Sequence, residues 1–275
     1  MAACKHIICL FIATLILCLA SFANNNDTLV LKNPVIIPGN YSQFKVDQLG
    51  NIYLITTQNQ LKKLSPQLDS VAVFNDIKRL GNIDKIDVSN PLKTLVYYKQ
   101  FGHILLLDRF LNPRNTIDLR QRNLPLINTI AQSYDNQIWL FDEWNFAIKK
   151  MNDAGEITEE SPDLRQALSF ETAPENMMDA DGLLYTYHAK IGWKIFDYYG
   201  ALKQSVAVFN WQFTQVVNGF LTGFELPYQH KAALKKLFFQ KQFLQNLPPN
   251  ILHIQQWQNK LYILCRNTGL HIYTI

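Results

Sequence analysis

Short apolar segments recur along this chain at a regular spacing. Each consists of three consecutive residues, most of them large and apolar, and several follow directly after a polar turn. The six segments are Ile52-Tyr53-Leu54, Leu95-Val96-Tyr97, Ile138-Trp139-Leu140, Leu184-Tyr185-Thr186, Phe220-Leu221-Thr222 and Leu261-Tyr262-Ile263. Their mean spacing is about 42 residues, a period typical of stacked four-stranded sheets, or blades. Because one blade cannot bury both of its faces, the pattern predicts a ring of six.

The third repeat shows the internal pattern of a blade most clearly. Residues 127–133 alternate, residues 137–142 are apolar, and residues 147–151 and 156–158 follow after turns of Asn, Asp and Gly. Four short strands separated by such turns form a meander. The second strands are apolar on both faces, so neighbouring sheets must cover both sides. We therefore predict an all-β fold, a six-bladed β-propeller of four-stranded antiparallel blades.

A repeated lysine pair supports this register. It occurs at intervals of two blades, in Leu61-Lys62-Lys63-Leu64, Ile148-Lys149-Lys150-Met151 and Leu234-Lys235-Lys236-Leu237. We place the pairs in third strands near the rim, where lysine stems cover apolar surface and the ammonium groups stay in water. The alternative is that the three pairs line an anion-binding surface.

The two ends of the chain complement each other. The last repeat ends at Ile275 without a fourth strand, whereas residues 28–37 precede the first repeat and have a strand-like pattern. Placing residues 28–37 on the edge of the last blade would close the ring and cover an exposed edge. We predict this closure by an N-terminal strand; a loose N-terminal arm is the alternative.

Two segments are compatible with helices. Residues 229–247 (Gln229 to Leu247) contain no turn signal and fit either a helix or strands, and the lysine register favours strands. Ser161-Pro162-Asp163 resembles an N-cap with proline at the first helical position, and predicts a short helix that ends at Leu168.

Residues 1–23 have the pattern of a secretory signal. Lys5 and His6 precede an apolar run over residues 7–19, and Ser21-Phe22-Ala23 resembles a cleavage site. The alternative, a membrane anchor, would need about 20 apolar residues. We expect residues 24–275 to form a single propeller domain, exported to the periplasm or the extracellular side of a bacterial envelope, with no membrane span after signal removal.

Charge and cysteine content exclude two classes. The chain has a formal net charge of +4 and no long block of basic residues, so we predict no nucleic-acid partner. Of the 4 cysteines, only Cys265 lies beyond the predicted signal, so no intrachain disulfide forms in the mature chain. The apolar strand around Cys265 predicts a buried, inert thiol.

Two turn-and-strand units carry a resemblance. Asp47-Gln48-Leu49-Gly50-Asn51-Ile52-Tyr53-Leu54 and Asp179-Ala180-Asp181-Gly182-Leu183-Leu184-Tyr185 resemble the D-x-x-G-N-hydrophobic-Y signature of the TolB-like superfamily of six-bladed propellers, which includes NHL-repeat proteins. Residues 134–139 match it in part. The resemblance implies architecture only, because this fold hosts lyases, lactonases, receptors and scaffolds.

Lactonases of this fold hold a divalent metal in the channel on acidic and Asn side chains, which gives five candidates here. They are Asp142, Glu143, Asn145, Asp179 and Glu225. Their spacing is not that of a metal site, and we interpret Asp179 as a turn residue that caps its own backbone. We predict no metal, no cofactor and no catalytic residue.

Histidine and aromatic residues offer the remaining chemistry. The four histidines of the later repeats, His188, His230, His253 and His271, lack the spacing of metal ligands, and we assign them to packing or surface. Phe141, Trp144, Phe146 and the segment Trp211 to Phe213 could form a glycan or peptide platform, although packing between blades explains most of them.

These observations favour an exported, non-catalytic propeller that acts as a binding or scaffold module in the cell envelope. Its partner would be another envelope protein, or a peptide or glycan at the channel mouth. One alternative is an enzyme of lactonase or lyase type with a metal in the channel. Another is an accessory subunit of an outer-membrane export or assembly machine. Three or more convergent acids or histidines at the channel mouth would favour the enzyme, and an apolar or lysine-lined funnel would favour binding.

Overall fold

The computed structural model describes residues 27–76, 80–168, 172–234 and 238–275. These residues form six antiparallel sheets that follow one another around a closed ring, which confirms the six-bladed β-propeller. The predicted signal, residues 1–23, lies outside the described residues. No helix within the described ranges is long and apolar enough to cross a membrane.

Blades 1 to 3 are regular four-stranded meanders. Blade 1 contains β3 (Tyr41–Val46), β4 (Ile52–Thr56), β5 (Leu61–Leu64) and β6 (Ser70–Phe74). Blade 2 contains β7 (Lys85–Asn90), β8 (Lys93–Tyr98), β9 (His103–Asp108) and β10 (Pro113–Asp118). Blade 3 contains β11 (Ile127–Gln132), β12 (Ile138–Asp142), β13 (Ala147–Met151) and β14 (Ile157–Glu160).

Blades 4 to 6 continue the ring, and the first two have four strands from their own repeat. Blade 4 contains β15 (Asn176–Ala180), β16 (Leu183–His188), β17 (Gly192–Phe196) and β18 (Leu202–Val206). Blade 5 contains β19 (Gln212–Val217), β20 (Phe220–Glu225), β21 (Tyr228–Ala233) and β22 (Phe239–Gln245). Blade 6 contains β23 (Ile251–Trp257), β24 (Lys260–Cys265) and β25 (Gly269–Thr274).

Two N-terminal strands complete the last two blades. β2 (Val35–Ile37) pairs antiparallel with β25 and supplies the missing fourth strand of blade 6, as predicted. β1 (Asp27–Val30) instead pairs in parallel with β22 and makes blade 5 five-stranded. The prediction that all of residues 28–37 lie on the last blade is therefore wrong for β1, because the chain crosses from one outer edge to the next between the two strands.

Residues 229–247 contain strands, not a helix, as the lysine register favoured. The register itself is wrong for this repeat: the third strand is Tyr228–Ala233, so Leu234-Lys235-Lys236-Leu237 follows it. Lys235 and Lys236 lie outside the described residues. The predicted short helix is present as α1 (Leu164–Leu168), between blades 3 and 4. Asp163, rather than Ser161, caps it, since its Oδ1 accepts a bond from the Arg165 amide at 2.9 Å.

The core consists of six separate apolar clusters, one at each contact between neighbouring blades. Second strands are buried on both faces, as all five residues of β4 and of β12 show. Each blade therefore covers its neighbours. The innermost strands, β3, β7, β11, β15, β19 and β23, are left to surround the axis of the ring.

Candidate binding site in the central channel

Five inner strands line a cavity of about 410 Å³ at the axis of the ring. The lining begins at Lys45, Lys85, Asn176, Phe213 and His253, which form its floor, and continues to the turns that follow the strands. Residues of these turns, such as Gln48 and Gln258, are exposed. The cavity therefore opens on the face that carries the turns between first and second strands, which we call the mouth face.

Lys85 is hydrogen-bonded to residues of two neighbouring blades at the floor of the cavity. Its ammonium donates to Thr129 Oγ1 at 3.0 Å, to Asn176 Oδ1 at 3.2 Å and to the Met177 carbonyl at 3.2 Å. Burial, opposed by the Asp87 carboxylate and reinforced by the Lys45 charge, lowers the pKa of Lys85 to about 8. Lys85 thus joins blades 2, 3 and 4 and still carries a charge at neutral pH.

Lys45 is the second lysine of the floor, and it has no counter-ion among the described residues. Its ammonium has no hydrogen-bond or ion-pair partner anywhere in the described parts of the chain. Burial lowers its pKa, and the Asp87 charge acts in the opposite direction. An unpaired ammonium in such a place is costly, because desolvation of a charge is offset only by a partner.

The nearby carboxylate of Asp87 is already engaged elsewhere. Its Oδ1 accepts bonds from the Ser89 amide at 2.9 Å and the Ser89 hydroxyl at 2.7 Å. Its Oδ2 accepts from the Gln132 amide of blade 3 at 2.9 Å. Asp87 therefore moderates the positive potential of the floor without forming a salt bridge to either lysine.

His253 completes the floor as a neutral group. Its ring lies edge-on between Phe44 and Phe213, with centroid distances of 5.3 Å to each. Burial and the Lys45 charge lower the pKa of His253 to about 3. The imidazole is thus uncharged at physiological pH, and this side of the floor is largely apolar.

Amide side chains form the walls and connect the blades. Gln255 bonds both backbone groups of Val46, accepting from its N–H at 3.0 Å and donating to its carbonyl at 3.1 Å. Gln215 Oε1 accepts from the Gln256 amide at 3.2 Å. The Gln215 Nε2 is buried with no partner among residues that the structure describes.

The metal candidates do not converge. Asp142 Oδ2 pairs with Lys149 at 3.0 Å and Asn145 Nδ2 at 2.8 Å in a turn between second and third strands, on the face opposite the mouth. Glu143 lies in the same turn, and Glu225 ends β20 near His230. No group of three or more His, Cys, Asp or Glu side chains in the described ranges could hold a metal.

Asp179 does line the channel, but not as the turn cap that we predicted. Its Oδ2 accepts bonds from Trp139 Nε1 at 3.0 Å and Ser133 Oγ at 3.3 Å of the preceding blade. Burial raises its pKa, against the effect of these bonds and of the Lys150 charge. The interpretation was wrong because the turn itself is formed by Asp181 and Gly182, one residue beyond β15.

The remaining histidines and Cys265 have structural roles. His188 and His230 each lie near a glutamate, Glu175 at 3.4 Å and Glu225 at 3.5 Å, and His230 stacks on Trp211. His271 contacts Thr268 at 3.0 Å.

Cys265 is buried and free, and burial raises the pKa of its thiol. The predicted burial of Cys265 is confirmed.

Two of the lysine pairs lie in the third strands of blades 1 and 3, but Lys63, Lys149 and Lys150 are buried, and their ammonium groups are not in water as predicted. Lys150 is 0% exposed and lies over the rings of Trp139 and Tyr198. Lys149 pairs with Asp142 and Glu160. The rim interpretation was wrong because neighbouring blades place aromatic rings and carboxylates over these strands.

Exposed apolar side chains mark the mouth face. Leu49, Leu92 and Tyr134, each at least 63% exposed, follow inner strands of blades 1, 2 and 3, and Tyr199 lies in the β17–β18 turn at 71%. Tyr198 contacts both Tyr134 and Tyr199, at centroid distances of 5.4 and 5.6 Å. Sequence reasoning missed this patch because single apolar residues in turns are common.

The proposed aromatic platform is not formed. Phe141 and Phe146 are buried against each other at 5.1 Å, Trp211 packs on His230, and Phe213 belongs to the channel floor. Trp144 is exposed, on the face opposite the mouth. Packing between blades thus accounts for most of these rings, as expected.

No protein-family profile and no curated protein matches the sequence. The fold is similar to the WD40 domain of Neurospora crassa Pan2, with a TM-score of 0.64, 10% identity, and coverage of 86% of this chain and 89% of that one. A streptogramin B lyase has a TM-score of 0.58, 15% identity and coverage of 84% and 78%. BBS1N, solved in complex with ARL6DN, has a TM-score of 0.59, 11% identity and coverage of 89% and 95%. These identities show a shared propeller fold alone, and membership of the TolB-like superfamily remains a prediction.

Proposed function

We propose that this protein is a non-catalytic binding module of the bacterial cell envelope, and that it binds its partner on the mouth face of the propeller. The observation that carries the proposal is the lysine-lined floor of the channel, which ends in Lys45 without a counter-ion. The three acids of the cavity wall, Asp47, Asp87 and Asp179, already accept hydrogen bonds from their own turn or from a neighbouring blade. A funnel of this kind favours binding over metal-assisted catalysis.

The surroundings of the mouth support the same function. Exposed apolar groups such as Leu49, Leu92 and Tyr199 lie in turns of the same face on which the lysine-lined cavity opens. Aromatic and apolar anchors beside polar groups are typical of protein and peptide interfaces. The similar fold of BBS1N, solved in complex with ARL6DN, illustrates a propeller with a protein partner. The pattern of residues 1–23 predicts export, which supports a partner in the envelope.

Affinity capture from native envelopes, followed by mass spectrometry, tests the proposal. The variant Leu49→Asp/Tyr199→Asp places two charges on the mouth face, and Leu126→Asp/Trp144→Asp is a matched control on the opposite face. We expect a partner retained by the unchanged protein and the control but lost by the mouth-face variant. Capture that is equal for all three proteins would exclude the mouth face. Turnover of a lactone panel would favour the enzyme.

A further inference from the structure

We propose that the floor of the channel is a carboxylate site, in which one carboxylate of the ligand lies between the ammonium groups of Lys45 and Lys85. The inference rests on the proposed function and deepens it, since it names the chemical class that the cavity accepts. The ligand is an organic monoanion, either the C-terminal carboxylate of a peptide or a small free carboxylic acid.

Lys45 is the residue of the floor that lacks a partner. Its ammonium lines the cavity without an ion-pair or hydrogen-bond partner in the described part of the chain. The Lys85 ammonium already donates hydrogen bonds to Thr129, Asn176 and Met177. It would therefore attract the ligand mainly through its charge. An anion bound at the floor would give Lys45 a partner. Hydrogen bonds between an ammonium and a carboxylate are stronger than hydrogen bonds between neutral groups.

The charge balance of the floor selects a monoanion. Lys45 and Lys85 supply the two basic groups of the floor, Asp87 is an acid that acts on both of them, and His253 is neutral because burial lowers its pKa to about 3. One carboxylate between the two lysines brings a single negative charge beside Asp87, whereas a phosphate dianion would bring a second. Two unit charges attract or repel strongly in such a partly desolvated site.

The remaining surfaces suit the carbon skeleton and amide groups of such a ligand. Phe213 and the neutral His253 ring form the apolar part of the floor. Gln215 also lines the wall, and its buried Nε2 has no partner among the described residues. The cavity of about 410 Å³ is within the range of small-ligand sites, and its open end lets a longer chain extend toward the mouth.

Titration calorimetry with the mature chain, residues 24–275, tests the assignment. The probes are N-acetyl-trialanine with a free carboxylate, the same peptide as its C-terminal amide, hexanoate and inorganic phosphate. We expect the free carboxylate to bind at least about tenfold more tightly than the amide or phosphate, the loss expected when one charge-assisted bond is removed. Hexanoate that binds as well as the peptide acid would identify a free acid as the source; weaker binding would identify a chain terminus.

Variants separate this site from general charge effects. Lys45→Gln should weaken binding of the acid at least about tenfold, whereas Lys62→Gln, which removes a lysine of the same blade outside the channel, should leave it unchanged. Binding should also weaken above pH 8 as Lys85 loses its proton. The groups that face Lys85 are Lys45, Asp84, Asp87, Thr129, Asn176 and the Met177 carbonyl.

Three results would overturn the assignment: equal binding of acid and amide, no effect of Lys45→Gln, or no binding of either carboxylate at millimolar concentration. Circular dichroism of each variant establishes that it is folded. If the mouth-face variant loses its captured partner while neither carboxylate binds, the proposed function stands and the carboxylate site is wrong. If the acid binds and the mouth-face variant still captures its partner, the carboxylate site stands and the proposed interface is wrong.

Discussion

The ammonium of Lys150 lies 4.1 Å from the centroid of the Trp139 ring. The two residues are direct neighbours in the pairing of β12 and β13. Two blades earlier, Lys63 and Tyr53 occupy the same positions, with 5.0 Å between ammonium and ring centroid. In blades 1 and 3, the second lysine of the repeated pair therefore makes a cation–π contact in the core of the blade and is not a feature of the rim.

Removal of the Lys150 charge should destabilise the protein. Lys150 is fully buried, contacts the Tyr198 ring as well, and lies 3.5 Å from Asp135. Lys150→Met keeps the length of the side chain but loses the cation–π contacts and the ion pair, at a cost of about 2 kcal/mol. Urea unfolding measures this, with Lys62→Met, a partly buried lysine of the other pair, expected within about 0.5 kcal/mol of the unchanged protein. Equal midpoints for both variants would show that Lys150 contributes no net stability.

Ring closure should depend on Gly269, at the start of β25. A Cβ at this position would lie 2.1 Å from the Ile37 carbonyl oxygen of β2, and the residue has φ +99. Gly269→Ala should therefore push β2 away from β25 as well as strain the backbone. Gly219→Ala is the matched control, because its φ is +75 but nothing lies within 4 Å of the added Cβ.

We expect the control to cost about 1 kcal/mol in free energy of unfolding, the usual strain of a left-handed residue. Gly269→Ala should cost clearly more and should raise hydrogen exchange in β2 and β25, which a purely local strain would not do. If both variants are equally stable and exchange equally, the closure does not depend on this close approach.

The blades were predictable from the sequence because the signal is carried by fully buried strands. β4, β12 and β24 are apolar on both faces. A sheet with one face in water would instead show alternating apolar and polar residues, so the pattern requires that neighbouring sheets cover both faces. The destination of β1 was not predictable, since Asp27–Val30 fits the edge of either of the last two blades. The choice depends on the course of the chain between two outer edges, which no local pattern encodes.

The site was harder to predict for a physical reason. Lys45 and Lys85 lie on different blades and meet only when the ring closes. A lysine in an alternating inner strand was the available signal, as at Lys45 beside Phe44 and Val46, but it is also typical of an exposed strand face. The spacing of the lysine pairs was a clearer pattern than the single lysines of the inner strands. It arises from packing within the blades and does not indicate the site.

Cys265 should react slowly in the folded protein. It is buried in β24, and burial raises the pKa of its thiol, so little thiolate is present at neutral pH and reagents have poor access. In the mature chain with Ser70→Cys, an exposed position of β6, one thiol should label within seconds and the second only in denaturant. Two fast thiols under native conditions would contradict the buried position.

His253 should make the protein sensitive to acid. Its folded pKa is about 3, whereas its unfolded pKa is about 6.5. Between these values the unfolded state takes up a proton that the folded state does not, so the stability linked to His253 is complete above about pH 6.5 and is lost as the pH falls toward 3. His253→Phe retains a ring between Phe44 and Phe213 and removes the titration.

Urea unfolding at pH 7 and pH 4 measures this difference. The unchanged protein should lose up to about 3 kcal/mol more than His253→Phe between the two pH values. All other ionisable groups are the same in both proteins, so the comparison isolates His253. Lys45→Gln serves as a second variant, since the Lys45 charge lowers the pKa of His253, and it should reduce the acid-dependent loss in part. Parallel losses in all three proteins would show that His253 takes up its proton without cost, and that the floor of the channel is open to water.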